Sequence, residues 1–277
     1  MKKLIPCFLL LCAWSVQAQS FEGTMKWSMK MEITDPALKA KMEESAKRMS
    51  DPATQAKIKE MQAKMNDPQM KAAMDANPQM KAQMENAMKM MAGGDMSSMM
   101  PKGFVIELKD GNALTKMDGG MMGNFEVVYL KDGDKTYHVD RKNKTFSIVD
   151  YTKNSSSPEK TPPKVTKTSE TAKVLNYTCT KYLVEYTEAG HTINQQVWST
   201  TEIKDIDLKS MAKYKTGSRN QSIYFEGMDG VPLRSVMITP QGNMTVEVTA
   251  IKRGGVSASD FEIPADFKET QGMFGKY

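Results

Sequence analysis

The chain has 277 residues, 26% of them charged, with 38 lysines and arginines set against 33 aspartates and glutamates. Both signs are interspersed along its length, and a formal net charge of +5 spread so thinly excludes the basic stripe that a nucleic-acid partner requires. Three cysteines and two histidines supply little for a disulfide framework, a zinc site or a histidine-based catalytic centre.

The opening residues, MKKLIPCFLLLCAWSVQAQS, combine two lysines, an apolar run from Leu4 to Val16, and Val16 and Ala18 in the positions that a signal peptidase reads. This pattern predicts a signal peptide over 1–18, cleaved near Ala18, and a periplasmic or secreted protein over 19–277. The run falls short of the roughly 20 residues that cross a bilayer. No later stretch is longer or more apolar, so no transmembrane segment is expected. Pro6 and Leu11 precede Cys7 and Cys12 where lipid attachment needs a small residue, which argues against a lipid anchor. Cys179 then stands alone in the mature chain and closes no internal disulfide.

From Met25 the odd positions read Met25, Trp27, Met29, Met31 and Ile33, and the even ones Lys26, Ser28, Lys30 and Glu32. Strict period two with polar residues opposite predicts a strand with one buried face. The period then changes. Asp35-Pro36, Asp51-Pro52, Asp67-Pro68 and Asn77-Pro78 follow one another at spacings of 16, 16 and 10 residues. Each pair starts a helix well, because the side-chain oxygen caps free N–H groups and proline lacks a donor where none is needed. Each also ends or kinks the helix before it. The spacing predicts short helices joined head to tail in an insert over 34–100.

Within these units Leu38, Thr54, Met70 and Met80 lie three residues after the cap. Met42, Ile58, Met74 and Met84 lie seven after, and Met49, Met65 and Met91 fourteen after. At about 100° per residue these positions share one narrow face. Gly93, Gly94 and Pro101 close the helical region.

Alternation resumes at Phe104, Ile106 and Leu108. Further strands are predicted over 113–117, 125–130, 135–140 and 145–151, separated by turn signals such as KDGN and KDGD. Residues 152–164, TKNSSSPEKTPPK, read as an exposed loop. Strands follow over 164–168, 177–187, 192–199, 222–226, 232–239 and 244–251, with a short helix within 201–214. The expected fold is α+β, mainly antiparallel: a single domain over 19–277 of roughly eleven strands with a methionine-rich helical insert after the first.

Catalysis finds little support. His138 and His191 lie on separate segments, and neither a Gly-x-Ser-x-Gly elbow nor a phosphate-binding glycine loop is present. The expectation is a protein that is not an enzyme and carries no cofactor. Cys179 reads as a small buried hydrophobe sooner than as a reactive thiol. Fourteen of the 26 methionines lie between Asp35 and Met100. Thioethers are soft ligands that suit copper(I), and Met88 to Met91 or Met96 to Met100 would place several sulfurs together. Against this, Leu38 and Ile58 occupy the same offsets as the methionines, as packing requires.

The stretches LNYTCTKYLVEY (Leu175 to Tyr186), VWST (Val197 to Thr200), GVPL (Gly230 to Leu233), TVEVTAIKR (Thr245 to Arg253) and FEIPADF (Phe261 to Phe267) resemble a family of secreted bacterial proteins. It is classed only as a domain of unknown function, number 4412. FEGTMKW, Phe21 to Trp27, suits the first strand of that family, which looks like the periplasmic lipoprotein carriers of the LolA type. The resemblance implies a strongly curved sheet, a half barrel, with helices over its concave side and an apolar ligand between them. The size of the methionine-rich insert departs from a simple carrier.

Three readings follow from residues and resemblance together. In the first, Met25, Trp27, Met29 and Met31 form a sheet wall, and Leu38, Met42, Ile58, Met65, Met74 and Met84 form a movable lid over a lipid or other apolar small molecule. In the second, the same helical face docks a partner protein. In the third, methionine clusters bind copper(I).

Overall fold

A computed structural model describes residues 20–71, 101–118, 126–149, 162–188, 191–206 and 225–270. The expected signal peptide, most of the loop over 152–164, Met74, Met84 and the fourth helix start at Asn77-Pro78 lie outside these residues.

The described residues form one open, curved sheet of twelve strands. In chain order these are β1 (Gly23–Ile33), β2 (Gly103–Lys109), β3 (Asn112–Asp118), β4 (Glu126–Leu130), β5 (Lys135–Asp140), β6 (Thr145–Val149), β7 (Lys164–Val174), β8 (Tyr177–Glu188), β9 (His191–Thr200), β10 (Val231–Thr239), β11 (Gly242–Arg253) and β12 (Lys268–Glu269). Across the sheet the order is β12-β6-β5-β4-β3-β2-β1-β11-β10-β9-β8-β7. Two meanders, β2 to β6 and β7 to β11, are therefore joined side by side through β1. All pairings are antiparallel except β12 with β6.

Local chemistry sets the turns. Asp110 and Gly111 have φ of 52° and 79°, the two positive values that a tight β2–β3 hairpin needs. Gly230, at φ 77°, starts β10 so close to β9 that an added Cβ would lie 2.1 Å from the Thr200 carbonyl oxygen.

β1 pairs with β2 on one side, Met25 opposite Ile106 and Trp27 opposite Phe104. On its other side it pairs with β11, Met25 opposite Ile251 and Trp27 opposite Val248, the register shifting between Lys26 and Trp27. Because the shift falls on β11, Met25 and Trp27 both point into the core and are 0% and 1% exposed. Their side of the sheet is called the inner face. It gathers Phe104, Ile106, Leu108, Met117, Val127, Tyr129, Val246 and Val248 into the main buried cluster.

The outer face is polar at its centre. Lys181, Trp198, Arg234 and Glu247 lie opposite one another across β8 to β11. Lys181 Nζ and the Arg234 guanidinium sit 5.6 and 5.5 Å from the Trp198 ring centre, and Arg234 pairs with Glu247. Towards β3 to β6 the outer face turns apolar, and the segment after β11 covers it. There Phe261, in a one-turn 3-10 helix (Ala258–Phe261) capped by Ser257 and Asp260, packs on Leu114, Val128 and Val139.

Two helices follow β1: α1 (Pro36–Ser50) and α2 (Pro52–Met65). The Asp35 carboxylate accepts from the N–H of Ala37 at 2.7 Å and of Leu38 at 3.0 Å. Asp51 accepts from Thr54 N–H at 3.1 Å and Asp67 from Gln69 N–H at 2.9 Å, so three of the four predicted helix starts are capped as their sequences dictate. Asp51 itself is extended, at φ −61° and ψ 131°, as a residue before proline prefers.

Some expectations need correction. Of the strand expected over 222–226, Phe225 and Glu226 lie in a turn, and 222–224 lie outside the described residues. Of the range 201–214 expected to hold a short helix, 201–206 are bent and bring Ile203 and Ile206 inward together, and 207–214 lie outside the described residues. Strand β7 runs on to Val174, because an irregularity between Lys167 and Thr171 lets both its halves pair with β8. Strand β12 had no signal: it is two residues long and all polar.

Candidate ligand-binding face

The inner face is sealed at two places and incomplete at a third. Near β7 to β9, Phe225 and Met228 cover Tyr182, Val184, Tyr186 and Val197. Asp229 clamps this turn. Its carboxylate accepts from Lys167 Nζ at 2.8 Å and from the Tyr182 hydroxyl at 3.2 Å, and its carbonyl oxygen accepts from Ser199 Oγ at 2.6 Å. The Lys167 hydrogen bond, followed by that of Tyr182, holds the Asp229 carboxyl below the ordinary range, so the clamp stays ionised at neutral pH.

Near the start of β1, Ile203 and Ile206 complete the main cluster. Asp205 pairs there with Arg253, whose guanidinium lies 5.1 Å from the centre of the Phe21 ring. The Arg253 hydrogen bond depresses the Asp205 carboxyl.

Between these seals the wall stays half-open. Continuing along β1, Met29 pairs with Val246 and Met31 with Met244; Met244 pairs in turn with Met237 on β10. Met29, Met237 and Met244 are half-buried and Met31 is 41% exposed. Of the four residues expected to form the wall, Met25 and Trp27 are thus closed core, Met29 lies at its margin, and Met31 is open. Trp27 stacks on Phe104 with ring centres 5.5 Å apart and planes 13° from parallel. Its Nε1 is buried with no hydrogen-bond partner among the described residues.

The expected lid residues are less concentrated. Leu38 and Met42 on α1 are half-buried, and Ile58 on α2 is 4% exposed, yet none of the three belongs to a buried cluster of the sheet. Met65 ends α2, with its side chain outside the described set. Among the described elements α1 packs on α2, and neither makes more than marginal contact with a strand. The firm tie is at the root, where the N–H groups of Thr34 and Asp35 donate to the Gln241 carbonyl oxygen in the β10–β11 turn, at 3.1 and 3.3 Å. That turn is also next to Met237 and Met244.

Cys179 is fully buried, and the loss of water pushes its thiol up to about 11. A thiol of that acidity supplies almost no thiolate at neutral pH. Groups of three or more histidine, cysteine, aspartate or glutamate side chains suited to a metal do not occur among the described residues, nor does a helix long and apolar enough to cross a membrane. On the outer face, a shallow groove of about 200 Å³ lies between Lys164, Thr166, Leu183, Glu185, Asn194, Gln196 and Ile238.

Sequence reasoning missed Met237 and Met244 as companions of Met31. Each sits in an alternating run, MIT and NMTVEV, but their meeting depends on the β1–β11–β10 register, which is a property of the whole sheet.

Fold and site together define a mainly antiparallel β-sheet protein whose inner face is apolar around β1, closed near the start of β1 and at β7 to β9 and part-open at the end of β1. The chain belongs to the family described as Domain of unknown function (DUF4412), which matches residues 104–267, more than half of its length. No curated protein matches it. Among solved structures it is similar to PNGF-II, with 16% identity and a TM-score of 0.35 over 61% of this chain and 28% of that one, so it spans little more than a quarter of that protein. It is also similar to LprF from Mycobacterium bovis, with 10% identity and a TM-score of 0.29 over 62% of this chain and 84% of that one. A domain assigned to outer membrane lipoprotein sorting in Vibrio parahaemolyticus gives 11% identity and a TM-score of 0.16 over 57% and 74%.

Proposed function

We propose that this is an exported, non-enzymatic binding protein that holds a lipid or other apolar ligand against the inner face of its sheet. One observation carries the reading: the wall of Met29, Met31, Met237 and Met244 continues a closed core of Met25, Trp27, Val246 and Val248 but is itself left part-open. Completing the burial of one such side chain contributes roughly 1.5–3 kcal/mol. Methionine's unbranched, polarizable arm adapts to ligands of varied shape. In this reading the helical insert over 34–100 is the cover, hinged where Thr34 and Asp35 hold the β10–β11 turn, with Leu38, Met42, Ile58, Met65, Met74 and Met84 as its lining.

The test is native mass spectrometry of the protein purified from its own periplasm, with titration of a fluorescent fatty acid. A co-purified apolar ligand, or saturable binding that Met31→Glu weakens, is expected; absence of both overturns the reading.

The slight contact between arm and strands favours a second reading, in which the arm docks a partner protein. Deleting Asp35 to Met100 separates the two. Loss of a partner in pull-downs with fatty-acid binding intact supports the second, whereas loss of fatty-acid binding supports the first.

A further inference from the structure

The methionines at the open part of the wall have a geometry that ligand packing does not require. Met31, Met244 and Met237 occupy directly opposed positions on three adjacent strands, β1, β11 and β10, and therefore form a single cross-strand row on one face. Neighbouring strands are about 4.8 Å apart, and opposed Cβ atoms about 5 Å. Flexible arms on the two outer strands are therefore within reach of the central one, close enough for three thioether sulfurs to share one ion. Met29, two residues before Met31, points to the same face and offers a fourth. None of the four is fully buried: Met29, Met237 and Met244 are half-buried and Met31 is exposed.

We infer that Met31, Met237 and Met244 form a soft-metal site for copper(I), or its analogue silver(I), with Met29 in reserve. Neutral sulfur donors discriminate sharply by softness. They suit a monovalent d10 ion and offer nothing to magnesium, calcium or zinc, which need oxygen, imidazole or thiolate. Grouped carboxylate, histidine and cysteine ligands do not occur among the described residues, so the row lacks the donors that would favour copper(II). A monovalent ion also brings a smaller desolvation cost to an apolar margin than a dication does. The sequence directs attention to methionines adjacent along the chain, in the insert. The fold instead assembles the site from residues 31, 237 and 244, with the closed core of Met25 and Trp27 as a fixed floor beside it.

The experiment is an anaerobic copper(I) titration of the full mature protein against a competing chromogenic chelator, followed by X-ray absorption at the copper edge. Three proteins are compared: the native one, the sheet variant Met31→Leu/Met237→Leu/Met244→Leu, and an insert variant with Met88, Met90, Met91, Met96, Met99 and Met100 changed to leucine. One tightly held equivalent with sulfur-only coordination is expected in the native protein and the insert variant. The sheet variant should lose more than about tenfold in affinity, since losing even a partner that only orients a metal ligand costs about that much. Failure of the native protein to hold copper(I), or loss of binding in the insert variant but not in the sheet variant, overturns the assignment. Leucine conserves volume and apolarity, so urea unfolding confirms that the sheet variant folds, and a variant that does not is replaced by Met237→Leu alone. Fatty-acid binding of the native protein, read without copper, tests the apolar-ligand reading separately.

Discussion

At the residue scale, the inner face changes character across the sheet. Around β1 it is Met25, Trp27 and Phe104; across β3, β5 and β6 it includes Thr115, Thr136, His138 and Ser147, with Thr115, Thr136 and Ser147 buried. His138 lies opposite Val127 on β4 and Ser147 on β5's other neighbour, β6. Loss of water there lowers its pKa from the ordinary 6.5, so the folded protein favours the neutral ring. The sign of the linkage follows: the unfolded chain takes up this proton near pH 6.5 and the native state only at lower pH. The resulting stability is present above 6.5 and is lost as pH falls through it. Urea midpoints measured at pH 7.5 and 5 should therefore drop more for the native protein than for His138→Gln, with the difference isolating this ring from the carboxylates. Alternation in the sequence placed His138 on a strand; only the register with β4 and β6 shows what surrounds it.

At the scale of elements, strands and helix starts were the legible part. Alternation located β1, β2, β8 and β9 because each has one face buried and one wet, which is what period two encodes, whereas β3 and β4 are buried on both faces and were bounded by their turn signals. Phe225 misled for a related reason. It is apolar and next to polar residues like a strand residue, but it is a plug over Tyr186, with ring centres 5.9 Å apart. Helix starts were legible because an Asp-Pro pair acts through its own side chain and ring, without help from tertiary contacts. That independence makes a prediction. Asp51→Ala removes the cap of α2, worth about 1 kcal/mol to the helix, while the sheet does not depend on that helix. Hydrogen exchange should quicken over 52–65, and the urea midpoint read from the buried Trp27 should stay put. What the apolar side of α1 and α2 meets was not legible, since a repeat fixes a face and leaves its partner open.

For the molecule as a whole, the sheet is open and so has two edges. One is β12, only two residues long and polar, which offers little to pair with. The other is β7, eleven residues long and mostly exposed. Its sequence KVTKTSETAKV carries Lys164, Lys167 and Lys173, the charges by which edge strands resist pairing with other molecules. Replacing Lys164 and Lys173 with valine, which leaves Lys167 in its pair with Asp229, should give concentration-dependent dimers or aggregates by size-exclusion chromatography with light scattering, under conditions where the native chain elutes unchanged. The open sheet also explains why family-typical stretches such as FEIPADF are legible as motifs before their role is. Phe261 matters only because β3 to β5 leave an apolar patch on the outer face.

The central place of β1 has a consequence in time. Its residues 23–33 are made first among the strands, yet their neighbour across the sheet, residues 242–253, is the last long strand to be made. Until that strand exists, β1 has β2 beside it but nothing joins it to the second meander, and a contact spanning most of the chain is slow to form. The half of the sheet from β1 to β6 pairs without it, but the row of Met31, Met244 and Met237 is complete only when nearly all of the chain has been made. The topology that completes the apolar wall therefore makes it the last part of the sheet to close.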